Sequence, residues 1–229
     1  MTRFAAVIFD MDGLMLDTER IALACWDQAA RLHGFDLDPA IGLGMVGLNT
    51  RDCVRWVKSV LGEDFPMEAI NVTSRELYHA ELDRDTPVKP GLHPLLQWLQ
   101  TEGVPLAVAT STRHEWAVKK LSKAGILACF HGMVCGDQVS QGKPHPEIFL
   151  SAAARIGVAP AQSVVLEDSD PGVRGATAAG MRVIQIPDVK APTEAVRQLG
   201  HPVCPDLYKA CELLQRWQSG WQPAGLERS

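Results

Sequence analysis

Residues 4–9, Phe-Ala-Ala-Val-Ile-Phe, are continuously apolar and run directly into Asp10, Met11, Asp12 and Gly13. A run without polar alternation suits a strand covered on both faces, the situation of a strand inside a parallel sheet. Gly13 then allows the tight turn that leaves two acids at the mouth of the strand. Acids two apart on an extended chain point to opposite faces, but where a strand breaks into a turn both can face one pocket. The spacing therefore permits an acid pair and equally permits a strand closed by a polar turn. The rest of the chain decides between them.

Downstream, the pattern changes twice. Residues 18–33 carry Ile21, Ala24, Cys25, Ala29 and Leu32 at helical spacing, with Gly34 as a stop. Residues 49–61 repeat the signature, with Asn49 or Thr50 as cap, Val54, Val57, Val60 and Leu61 on one face and Gly62 at the end. Residues 66–82 form a third, less periodic helical stretch, and no strand signal falls between 18 and 88, so this region reads as a compact helical insert. From Pro90 onward strands alternate with helices, the pattern of a parallel sheet with crossover helices. Strands are expected at 104–109, 133–135, 163–166 and 183–186, and helices at 92–100, from a capping box at Thr112–Glu115 to near Gly125, at 148–156 with Pro144 near its first turn, and at 171–179, 191–199 and 206–217. The polar tail, residues 218–229, reads as frayed.

The chain has 229 residues, 46% of them hydrophobic, enough to bury a sizeable core. Its net charge of -5, without a Lys/Arg run, argues against nucleic acid or an anionic membrane as the main partner. Cys25, Cys53, Cys129, Cys135, Cys204 and Cys211 form no CxxC pair and no metal spacing with histidine, so they read as reduced thiols of a cytoplasmic protein. The opening apolar run is too short for a signal peptide or a span, and nothing later reaches the roughly 18 residues a span needs. A monomer fits this composition, although nothing in it fixes the oligomeric state.

Polar groups recur where core strands are expected to end: Asp10 and Asp12, then Thr110 and Ser111, then Lys143 ahead of Pro144, then Glu167 and Asp168. In open parallel sheets ligands bind at the carboxyl ends of strands. Singly, each has an ordinary explanation as a cap or a solvated loop residue. Together, four carboxylates in one pocket would repel one another unless a cation sat among them, and all-oxygen ligation suits Mg2+. A lysine and a hydroxyl beside such a cation make a cradle for a phosphoryl group.

DMDGLMLDTE at 10–19, Thr110-Ser111-Thr112, Gly142-Lys143-Pro144 and Leu166-Glu167-Asp168-Ser169 resemble the four ordered motifs of the haloacid dehalogenase superfamily. The helical insert is similar to the cap of its phosphoglycolate phosphatase-like and beta-phosphoglucomutase-like branch. The resemblance covers about residues 4–215 and implies an α/β fold with a Rossmann-like parallel sheet. Residues 1–16 and 89–229 would form the core and 17–88 an inserted α-helical cap. It also implies a Mg2+-dependent phosphatase acting on a small phosphorylated sugar, polyol or nucleotide. Asp10 would be the nucleophile that becomes an aspartyl-phosphate, and Asp12 the acid and base, with its backbone carbonyl on the metal. Thr110, Ser111 and Lys143 would hold the phosphoryl group, and Asp168 with Glu167 would hold the metal.

The second aspartate separates this chain from the dehalogenases, which lack it. Phosphonate-cleaving members use a cap lysine as a Schiff base, and neither Lys58 nor Lys89 lies in a stretch that matches that role. The sugar-phosphate mutases carry a histidine in the first cap helix where Ala22 stands here, but Gly47-Leu48-Asn49-Thr50-Arg51 resembles the cap loop whose arginine grips a distal anionic group. Mutase activity is thus the alternative, and a member that only binds a metabolite a more distant one. His114, following the phosphate turn, is a further candidate for substrate contact.

Overall fold

A computed structural model describes residues 3–46 and 50–220; side chains 50–52 lie outside that description. Strand β1 (Ala6–Phe9) is followed by four helices, α1 (Thr18–Leu32), α2 (Pro39–Met45), α3 (Thr50–Leu61) and α4 (Met67–Arg84). Alternation then begins: α5 (Leu92–Thr101), β2 (Leu106–Thr110), α6 (His114–Lys123), β3 (Gly132–Cys135), α7 (Glu147–Arg155), β4 (Ser163–Glu167), α8 (Asp170–Ala178) and β5 (Arg182–Gln185). Two more helices, α9 (Glu194–Arg197) and α10 (Leu207–Gln218), close the described chain.

The five strands form one parallel sheet in the order β3-β2-β1-β4-β5. The most apolar segment is the central strand because it must be dry on both faces. Val7 and Phe9 join Val108 and Leu166 on one face under α5 and α10, whereas Ile8 joins Ala107 and Val165 on the other under α7 and α8. Truncating the fully buried Ile8 to alanine would cost roughly 2–5 kcal/mol. The chain order reverses direction at β1, with β2 on one side and β4 on the other, and this opens a crevice at their carboxyl ends.

Helices α1 to α4 enclose an apolar cluster of their own, with Trp26, Ala29, Val57, Phe65 and Ile70 at its centre. Two linkers lead to and from it, and they pair. Leu16 bridges Val88, the Asp17 N–H donates to the Pro87 carbonyl at 2.9 Å, and the Lys89 N–H donates to the Met15 carbonyl at 2.9 Å. Lys89 of the second linker and Arg20 of α1 converge on the buried Asp188 side chain in the loop after β5, at 2.5 and 3.1 Å, and so tie the base of the inserted helices to the sheet.

Several local expectations are corrected. Helix α2 lies in a stretch that shows no helical pattern over a useful length, although Asp38 caps it by accepting from the Ala40 N–H and Pro39 opens it. Thr112 does not start a capping box: α6 begins at His114 without a side-chain cap, because the Thr112 hydroxyl is turned to Asp12. Pro144 lies outside α7, which starts at Glu147, and follows a cis peptide bond with Lys143. β2 sits two residues later than expected at its start, and α9 keeps only its middle. Asn49, as a cap of α3, lies outside the described residues. Among the described residues no helix is long and apolar enough to cross a membrane.

Candidate active site

Asp10 follows β1, and its N–H donates to the Leu166 carbonyl at 3.0 Å, which extends the pairing one residue past the strand. Thr110 is the last residue of β2 and Glu167 the last of β4. Asp10 and Thr110, with Ser111, Lys143 from the loop before α7, and Asp168, line one cleft of about 580 Å3, and Glu167 lies fully buried against Lys143. The cleft also takes Asp12, Thr112, Lys120, Glu19 and Tyr78, the last two from α1 and α4. A second cavity of about 420 Å3, lined by Trp26, Met45, Met67, Asn71 and Arg75 among others, adjoins it through Glu19, Val46 and Tyr78.

Within the cleft the carboxylates divide into two groups. Oxygens of Asp10, Glu167 and Asp168 lie within 4.8 Å of one another. Lys143 joins Asp10 to Glu167, donating to both, with 2.5 Å to Glu167. The other Glu167 oxygen accepts from the Ser169 N–H and hydroxyl, each at 2.9 Å. Burial pushes the Asp10 carboxyl up to about 8, with Glu167 and Asp12 adding to the rise against the pull of Lys143. Burial, Glu167 and Asp10 likewise raise Asp168 well above the usual carboxylate range. For Lys143, burial favours loss of its proton, but Asp10 and Glu167 outweigh it and raise its pKa.

Two glycines let these acids approach. At Gly13, with φ of +84°, a side chain would be strained and would overlap the Asp168 carboxylate; at Gly172 in the first turn of α8 it would overlap Glu167. Three carboxylates gathered with one lysine, two of them with pKa values raised by burial and mutual repulsion, form a donor set whose charge a hard, oxygen-seeking cation would offset.

Asp12 stands apart from that group. Its side chain accepts from three directions at 2.6 Å: Thr18 and Lys120 at one oxygen, Thr112 at the other. Burial would raise its pKa, but the Lys120 ion pair and the two hydroxyls prevail and hold it below the usual range. Of the four carboxylates expected in one pocket, three approach within 4.8 Å of one another, and the Asp12 side chain lies in the same cleft on partners of its own.

Thr110 is buried, and its hydroxyl accepts from the Thr112 N–H at 3.1 Å, which shapes the turn containing Ser111. His114 is exposed and absent from the residues lining the cleft; its N–H donates to Asp137 at 2.9 Å. Arg51 lies in the first turn of α3, and its side chain is outside the described residues. Lys120, Tyr78, Thr18 and Glu19 were not singled out in the sequence. Lys120 carried a signal, since it shares the apolar face of α6 with Ala117 and Leu121, where a lysine has to find a buried partner. Burial beside Asp12 and Asp188 pushes Glu19 up to about 7.

The sequence profile described as haloacid dehalogenase-like hydrolase matches residues 7–186. A probable pseudouridine-5'-phosphatase of Drosophila melanogaster is 34% identical over 194 residues, covering 82% of this chain and 83% of that one. The beta-phosphoglucomutase of Bacillus subtilis is 29% identical over 190 residues, covering 79% and 82%. Among solved structures, a conserved haloacid dehalogenase-like protein of unknown function from Agrobacterium tumefaciens superposes with a TM-score of 0.80 at 27% identity, covering 93% of this chain and 98% of that one. The chain belongs to the haloacid dehalogenase-like hydrolase family. Its α/β fold and the order of its strand-end motifs are those expected from the resemblance.

Proposed function

We propose that this enzyme is a Mg2+-dependent phosphatase that hydrolyses a small phosphorylated metabolite through an aspartyl-phosphate on Asp10. The observation that carries the reading is the division of acids in the cleft. One carboxylate, Asp10, sits with Glu167, Asp168 and Lys143, and a second, Asp12, is held apart by Lys120, Thr18 and Thr112. Catalysis of this kind needs one group to attack and another to move protons, and the two surroundings separate those tasks.

In the first half-reaction an Asp10 oxygen attacks phosphorus, the ester P–O bond breaks with its electron pair going to the leaving oxygen, and Asp12 supplies the proton. In the second, Asp12 takes a proton from water, the water oxygen attacks phosphorus, and the P–O bond to Asp10 breaks to release phosphate and the free carboxylate. The ionised state of Asp12 in this arrangement is that of the base in the second half. Thr110 and the main chain at Ser111 hold the phosphoryl oxygens, and Lys143 offsets their charge. Asp10, Asp168, Glu167 and the Asp12 carbonyl would hold Mg2+, which when bound offsets the charge that otherwise keeps an anionic nucleophile from an anionic ester.

Residues 17–88 act as a cap on a core formed by 1–16 and 89–229, and the paired linkers are its hinge. The cavity next to the cleft, with Asn71 and Arg75 beside Trp26 and Met67, suits the polar, non-reacting end of a sugar, polyol or nucleotide. The named relatives act at that scale, on a pseudouridine phosphate and, for the mutase, on phosphoglucose. The six free cysteines fit work in the cytoplasm.

Ala22 lines the cavity where the mutases of the resemblance carry their histidine, so no side chain at that position restrains Asp12 from activating water. Net hydrolysis is the expected outcome. The purified protein is given sugar 1-phosphates with a trace of the matching bisphosphate, and free phosphate and the 6-phosphate isomer are followed together. Phosphate as the main product supports the reading; isomer forming many times faster than phosphate replaces it with the mutase.

A further inference from the structure

Lys120 is a lysine only 6% exposed on a helix that otherwise turns its charges outward. Burying an ammonium is costly unless it is paired and hydrogen-bonded, and both conditions are met here by groups from distant parts of the chain. Its Nζ donates to Asp12 at 2.6 Å and to the Tyr78 hydroxyl at 2.9 Å, and it lies 5.1 Å from the centre of the Tyr78 ring. Asp12 belongs to the turn after β1, Lys120 to α6, and Tyr78 to α4 among the inserted helices.

The contact between α4 and α6 is a seam rather than a single touch. One residue along from Tyr78, the His79 ring stacks on Trp116 at 3.7 Å and 15°. A turn further, Asp83 pairs with Lys119 at 2.5 Å, and its carbonyl accepts from Lys123. Residues 78, 79 and 83 of α4 thus meet 116, 119, 120 and 123 of α6, the i, i+3, i+4 spacing of one helix face against another. Seating α4 on α6 is what brings the Tyr78 hydroxyl to the ammonium that holds Asp12.

We propose that Lys120 and Tyr78 are positioning residues for Asp12: Lys120 fixes the carboxylate in the cleft, and Tyr78 orients Lys120 when the inserted helices are seated on α6. The inference rests on the assignment of Asp12 as the acid and base. Neither residue forms or breaks a bond to substrate. A carboxylate displaced by an ångström from its working place can lose about a hundredfold in rate, so a dedicated holder has a measurable effect.

The discriminating readout is dependence on the leaving group. The rate constant kcat/KM reports the first half-reaction, in which an alkyl phosphate needs a proton on its departing oxygen and p-nitrophenyl phosphate does not. Lys120→Met, which keeps length and removes charge, is expected to lower kcat/KM for glycerol phosphate or a sugar phosphate by about 10–100-fold and for p-nitrophenyl phosphate by less than about threefold. Lys120→Arg should recover part of the loss. Tyr78→Phe should lower the alkyl phosphate rate by about three- to tenfold and have no further effect in the Lys120→Met background, because it acts through the lysine.

Equal losses on both substrates would show a general structural role and overturn the proposal, as would full multiplication of the two single effects in the double variant. If Lys120→Met does not fold, Tyr78→Phe and Lys120→Arg carry the same leaving-group test. Should Asp10→Asn abolish turnover while Lys120→Met and Tyr78→Phe leave both rates untouched, the phosphatase reading stands and this inference falls. Should Asp10→Asn itself retain turnover, the underlying reading fails first.

Discussion

Replacing Gly172 with alanine is, by helix propensity alone, a stabilising change. Glycine in a helix is worse than alanine by about 1 kcal/mol, and Gly172 lies in α8 with no positive φ to protect. The Glu167 carboxylate reverses the sign. It is fully buried and occupies the space a Cβ on residue 172 would need, so it has to move. It is not free to do so cheaply, because Lys143 holds one oxygen at 2.5 Å and Ser169 holds the other twice at 2.9 Å. Hydrogen bonds to charged groups contribute about 1.5–3 kcal/mol each, so losing two costs roughly 3–6 and leaves a net loss of about 2–5 kcal/mol. Gly172→Ala should therefore lower the urea midpoint with an unchanged m-value and depress activity by displacing one of three clustered acids. Gly142→Ala is the control for stability alone, since a Cβ there meets nothing within 4 Å although Gly142 lines the cleft. A Gly172→Ala protein as stable as wild type, with its activity intact, would show that the Glu167 carboxylate is not anchored as described.

Chelation with excess EDTA should abolish phosphate release, and added Mg2+ should restore it and raise the melting temperature, an increase that Glu167→Gln diminishes; activity surviving exhaustive chelation would refute the cation assignment. His79 supplies a pH dependence away from the acids. Burial and the neighbouring Lys119, Lys120 and Arg75 hold its pKa below the ordinary value of about 6.5, with Asp83 opposing them. The stability it supports is fully present above pH ~6.5 and is lost as pH falls through the folded-state value. His79→Gln should thus narrow the difference in stability between about pH 8 and about pH 5, and an unchanged difference would exclude His79 from the acid sensitivity.

The sheet was legible because its strands are short apolar runs closed by polar groups, a local pattern that burial on both faces imposes on the residues themselves. For the same reason Asp10, Thr110, Lys143, Glu167 and Asp168 could be picked out as strand-end or loop residues before any geometry was known. What stayed hidden depends on pairings distant in the chain. The hydroxyl of Thr112 has the spacing of a cap and the partner of an active-site residue, and only the fold puts Asp12 within its reach, 100 residues away in sequence. Tyr78 looks like an ordinary helix residue, and Lys120, although its place on the apolar face of α6 calls for a buried partner, does not name that partner; their meaning lies in the packing of α4 on α6. Helix α2 is seven residues long, too short for periodicity to register, though its Asp-Pro start was present to be read.

The central claim is that Asp10 carries out the attack on phosphorus. Its most direct test is phosphate release by Asp10→Asn, assayed beside wild type on any phosphate monoester the wild type hydrolyses, after matching the two proteins for thermal melting. The amide keeps the size of the side chain and removes its nucleophilicity, so the account predicts a folded protein with turnover lower by at least about a thousandfold. Phosphate release within about tenfold of wild type, with contaminating phosphatase excluded, would contradict it.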